Sequence, residues 1–136
     1  MRRSLPLICL PLCALALSAC TKSVSTAAFK GEQHEVAQAI SDLQSNATTG
    51  EEQKICEEQL AAAVVARLGG AKGCEKALKS QLTEVDSLEA LVESVTVSPD
   101  GKTATAQVKS VHEGKKATST LALVNEGGKW KISGLG

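Results

Sequence analysis

Aromatic residues are almost missing from this chain: one phenylalanine, one tryptophan and no tyrosine in 136 residues. Large rings supply much of the buried area of most cores. A core built here must be thin and aliphatic, drawn from Ala, Val and Leu. Charge of one sign is lacking too, with 15 basic and 15 acidic side chains. No Lys/Arg cluster stands out beyond the turn pair Lys115–Lys116, so nucleic-acid binding has no support. There are two histidines, His34 and His112, far apart in sequence and far from any cysteine pattern of metal-binding spacing. No metal site and no cofactor is assigned. The longest uncharged apolar run, Leu5 to Leu17, falls short of the roughly 20 residues that cross a bilayer comfortably.

That run has its own meaning. It follows Met1-Arg2-Arg3, contains Pro6 and Pro11, and ends Leu17-Ser18-Ala19-Cys20. A basic start and a short apolar stretch make a secretory signal. The ending closely resembles the lipobox of bacterial lipoproteins. The resemblance implies diacylglyceryl transfer to the Cys20 sulfur and cleavage between Ala19 and Cys20. Small residues let a peptidase reach the backbone, and a thiol is the natural nucleophile for alkylation. Two acyl chains anchor stably where one is marginal. Residues 1–19 are therefore expected to be a lipoprotein signal peptide. Residues 20–29 carry the lipid and a short tether, and 30–136 form one small domain facing outside the cytoplasm, held to the membrane through Cys20. Thr21 stands where an Asp would signal retention in the inner membrane.

Cys9 and Cys13 leave with the signal and Cys20 takes the lipid, so Cys56 and Cys74 remain. An even pair in an oxidising compartment is expected to form a disulfide. A bridge over a loop of this length contributes about 3 kcal/mol. A metal site or two buried thiols are the competing readings.

Along the domain, Phe29, Val36, Ile40 and Leu43 recur at helical spacing, predicting an amphipathic helix over about 31–45. Asn46 to Gly50 reads as a turn. Thr49 with Glu52 matches a capping box and opens a second helix ending at Gly69-Gly70, with Cys56, Leu60, Ala63 and Val64 as its inner stripe. A third helix carries Cys74, Ala77, Leu78 and Leu82, so a bridge would clamp helix two to helix three. After Val85 the period becomes two. Strands are expected over 91–97, 103–112, 117–126 and from 129 to the end. Ser98-Pro99-Asp100-Gly101 forms the first hairpin turn. Helices first and antiparallel strands after read as α+β, with the helices on one concave face of a four-stranded meander.

Helices before a curved meander, the Thr49-Gly50-Glu51 turn, the hairpin "VTVSPDGKTATAQV" and the ending "LALVNEGGKWKISGLG" together resemble the NTF2-like (cystatin-like cone) superfamily. Small actinobacterial secreted and lipoprotein members look alike, including a cysteine pair in helices two and three. The resemblance implies a curved sheet closed by helices into a cone. Folds of this kind serve as enzymes, ligand pockets or docking modules, so fold alone does not choose. Members resembling ketosteroid isomerase use an acidic base with a Tyr-type donor inside the cone, and this chain has no Tyr. Glu93 shares the frame of Val95 and Val97, and a buried carboxylate there could act as a base. It lies near a strand start, where registers slip, and no catalytic residue is assigned. His34, between Glu32 and Glu35, and His112, at a strand end, read as solvated.

The expected function is non-catalytic binding of a small apolar ligand or lipid in the cone. Its candidate lining is Val95, Val97, Ala106, Val108, Leu121, Leu123 and Trp130, with Trp130 read as core ahead of a ligand stacking platform. The alternative is a docking or oligomerising module, a homodimer or a complex with another surface protein. It would use the polar outer sheet face of Thr103, Thr105, Thr118 and Thr120.

Overall fold

The computed structural model describes residues 26–82, 89–112 and 114–135. The signal segment, Cys20 and the His112 side chain lie outside the described residues. The element order is α1 (Glu32–Thr49), α2 (Glu52–Lys54) running into a π-turn (Ile55–Gln59), α3 (Ala62–Arg67), α4 (Gly70–Leu82), then β1 (Glu89–Val97), β2 (Thr103–His112), β3 (Lys115–Glu126) and β4 (Lys129–Leu135). The strands form one antiparallel sheet in the order β1-β2-β3-β4. Among the described residues no helix is long and apolar enough to cross a membrane.

The helix α1 is longer than its apolar spacing predicts. Asn46 to Thr49 continue it instead of turning. Gly50 ends it in a left-handed conformation (φ 69°), with the Gly50 and Glu51 N–H groups closing on the Asn46 carbonyl. The Thr49–Glu52 capping box does not form. Thr49 belongs to α1, where its hydroxyl donates to the Ser45 carbonyl (3.0 Å), and Glu51 precedes α2 without a side-chain cap.

The predicted second helix is broken. The π-turn adds a residue, with the Leu60 N–H donating to the Ile55 carbonyl (2.9 Å). Leu60 and Ala61 are then extended. The Ala61 N–H donates to the Ile132 carbonyl (2.8 Å), and Leu60 pairs with Ile132 as a parallel bridge on the outer edge of β4. This blunts an edge otherwise open to pairing with another chain. The extra residue and the break rotate the expected stripe, so Cys56 is buried but Ala63 is exposed.

The concave face of the sheet is read from register. Val97, Val95 and Val92 face Ala104, Ala106 and Val108, and those face Leu123, Leu121 and Ser119. A bulge at Glu93 puts Val92 and Val95, three residues apart, on the same buried face. A second irregularity at Ser133 puts Ile132 and Leu135, also three residues apart, on the same side of the sheet, with Ile132 buried and Leu135 exposed. Bulges of this kind bend strands and add twist, giving the sheet its curvature. The bulge excludes the inward alternative raised for Glu93: it is exposed on the convex face and ion-paired with Lys109. Its carboxylate cannot serve the interior.

Val36, Ala37 and Ile40 of α1 fill the narrow half of the cone against Val95, Ala104, Leu123 and Trp130. The alanines at 37, 104 and 106 let helix and sheet approach closely, which is how so few large side chains make a closed core. Gln33 Nε2 donates to the Val95 carbonyl (2.9 Å) and pins the start of α1 to β1. Cys56 and Cys74 form a disulfide, Cα–Cα 6.1 Å, joining the π-turn to α4.

Candidate functional site

Among the described residues, the wide half of the cone is not filled. A pocket of about 350 Å³ lies between the second half of α1, the end of α4 and the far ends of the strands. The α1 wall is Ile40, Leu43 and Ala47, spaced three and four apart on one stripe. Leu78 and Leu82, one turn apart on α4, form the opposite wall, and the disulfide fixes that helix to the π-turn residue Ile55. The floor is Val108 and Leu121, with Ser110 and Ser119 further out, and Leu135 is exposed at the rim.

Among the described residues, no charged and no aromatic side chain lines this space. The polar groups in the wall are Gln44 and the two serines. Among the described residues of this wall there is no general base and no nucleophile–base pair. The clearest electrostatic perturbations lie outside the pocket. The Glu51 carboxylate, bonded to the Lys54 ammonium, holds that lysine above its ordinary value. The Ser98 hydroxyl first, and the Lys102 N–H second, hold the Asp100 carboxyl below the usual carboxylate range.

Of the seven lining candidates, Val108 and Leu121 bound the pocket. Val95, Ala106 and Leu123 are buried with the α1 side chains in the narrow half, and Val97 packs against them. Trp130 is buried in the same core and borders a different cleft, on the flank of α1. The helical wall was missed. Its signal was present in the Ile40–Leu43–Ala47 and Leu78–Leu82 spacings. Parity along β2, from Ala104 through Val108, also leads inward to Ser110.

Comparison with known proteins bears on the fold. A protein-family model described as putative lumazine-binding matches residues 71–134, which is α4 and the whole sheet. No curated protein matches the chain. Among solved structures, a protein described as a putative calcium/calmodulin dependent protein kinase II association domain, from Xanthomonas campestris, is similar over 81% of this chain and 88% of its own. The TM-score is 0.51 and the identity 19%. At that identity the likeness speaks for the fold alone. With the helices on the concave face of a curved four-stranded meander, the chain has the NTF2-like cone fold.

Proposed function

We propose that this protein is a lipid-anchored, extracytoplasmic, non-catalytic binding domain of bacterial, actinobacterial type, which holds a small apolar ligand or lipid in the wide half of its cone. The observation that carries the reading is the pocket of about 350 Å³, whose wall among the described residues is mostly apolar and holds no charged side chain. Ligand sites are concave and mostly apolar, with a few polar groups for orientation, and Ser110, Ser119 and Gln44 fit that role. The family model's description, lumazine-binding, supports a small-molecule ligand. A planar polar heterocycle finds no ring to stack on here, and the lining favours an aliphatic or acyl group. The lipobox supports the anchor through Cys20.

Titration with the neutral apolar fluorophore N-phenyl-1-naphthylamine tests the pocket. Saturable enhancement is expected, with affinity at least ten-fold lower in Ser119→Phe, whose ring would enter the pocket from an exposed strand position. No saturation, or saturation unchanged in that variant, would remove the cone as the site.

A second reading, docking or self-association, draws on the description of the structural neighbour as an association domain. The convex sheet face presents Thr103, Thr105 and Thr118, all exposed. Light scattering across a concentration series separates the two: a monomer throughout favours the ligand reading.

A further inference from the structure

The cone pocket has a direction. Its helical wall is aliphatic apart from Gln44, from the buried Ile40 and Ile55 to the half-buried Leu78 and Leu82. The sheet side changes character along the strands. Leu121 and Val108 come first, and Ser119 and Ser110 follow outward on the same face. Register sets Ser119 opposite Val108 and Ser110 opposite Ala117, so the two serines are diagonal neighbours on adjacent strands. Diagonal positions on one face stand about 7–8 Å apart. Ser110 is half-buried and Ser119 exposed. Neither hydroxyl has a hydrogen-bond partner among the described residues, and no cation or carboxylate among them shares the wall.

We propose that the ligand of this pocket is a single-chain amphiphile with an uncharged, oxygen-bearing head, a fatty alcohol or a simple ester. Its chain lies against Ile40, Leu78 and Leu121, and its head meets Ser110 and Ser119. With the cone as the ligand site, on which this rests, the wall adds the size, the orientation and the head. The pocket of about 350 Å³ holds roughly a dozen non-hydrogen groups at the 30 Å³ or so that a water takes in the liquid, which is room for one chain and not two. A serine hydroxyl both donates and accepts, so it serves a hydroxyl or an ester oxygen equally. A carboxylate or phosphate drawn to the same depth leaves water and meets no cation in the wall, and an ammonium meets no carboxylate. Burying an unpaired charge is costly. A plain hydrocarbon would cover the Ser110 hydroxyl and leave it without a partner.

Decanol, decanoate and decylammonium share one chain and differ only at the head. Their displacement of N-phenyl-1-naphthylamine from the disulfide-bonded protein at pH 7, each below its aggregation concentration, ranks them. Decanol is expected to bind at least ten-fold more tightly than either ion. Hydrophobicity alone also favours the alcohol, so the double variant S110A/S119A reads the serines directly. In it the ratio of decanol affinity to N-phenyl-1-naphthylamine affinity is expected to fall at least five-fold. Decanoate or decylammonium binding as tightly as decanol would overturn the uncharged head. An unchanged ratio in the double variant would overturn the serines as its site. Either result leaves the cone reading standing as long as the fluorophore saturates. A fluorophore that never saturates removes the cone as the site, and the amphiphile with it.

Discussion

Gly73 shows what a single residue decides in this fold. It lies near the start of α4, and a Cβ added there would fall 2.0 Å from the Leu68 carbonyl oxygen and 3.0 Å from its carbon. Replacing a helical glycine by alanine normally stabilises by about 1 kcal/mol. Here backbone must move, and Gly73→Ala is expected to lose about 1–3 kcal/mol as overpacking does. A denaturant midpoint that rises would contradict the close approach. Asp100 is the second case. Its carboxylate accepts from the Ser98 hydroxyl and the Lys102 N–H, which lowers its pKa in the folded state. A lowered carboxyl pKa contributes stability above the unfolded value and loses it as pH falls through the folded one. Asp100→Ala is therefore expected to melt below wild type at pH 7, with the gap closing under about pH 4. A gap constant with pH would contradict that bonding. The turn around Asp100 was legible because Ser-Pro-Asp-Gly carries its own local chemistry. Glu93 was not, because a bulge depends on the partner strand. Strict alternation from Val95 and Val97 sends Glu93 inward, and one extra residue sends it out.

At the scale of elements, the break between the π-turn and α3 has a tertiary cause. Residues 52–68 read as one helix by spacing. The chain gives up helical bonds at Leu60 and Ala61 because the edge of β4 offers the Ile132 carbonyl, more than 70 positions away, and the Glu126 carboxylate accepts the Ala62 N–H (3.2 Å). Lys131 Nζ, donating to the Glu57 carbonyl at 3.1 Å, ties the same strand to the π-turn. No local pattern announces a partner that distant. The cysteine pair was legible, since its evidence lay in count and compartment. With Cys56 and Cys74 separated by 18 in sequence, removing the bridge in the Cys56→Ser/Cys74→Ser variant is expected to cost about 3 kcal/mol of stability. Because the bridge sets the α4 wall, the affinity for N-phenyl-1-naphthylamine should fall as well. Full retention of both would separate the disulfide from the pocket.

For the whole molecule, the order of elements was enough to place helices on a curved meander, and the cone follows from it. What element order left open is how deep α1 fills that cone. Val36, Ala37 and Ile40 close one half, while Leu43 and Ala47 line the pocket in the other. The anchor proposed at Cys20 gives the domain its address. Cys20→Ala is expected to move the protein from the membrane to the soluble fraction, and continued membrane association would contradict lipidation. The central claim is that an apolar ligand occupies the wide half of the cone. The most direct test is a methyl ¹³C NMR titration of the disulfide-bonded chain with N-phenyl-1-naphthylamine. Saturable shifts are expected at Leu43, Leu78 and Leu121, with the Trp130 indole unmoved. Shifts confined to surface methyls, or none that saturate, would contradict it.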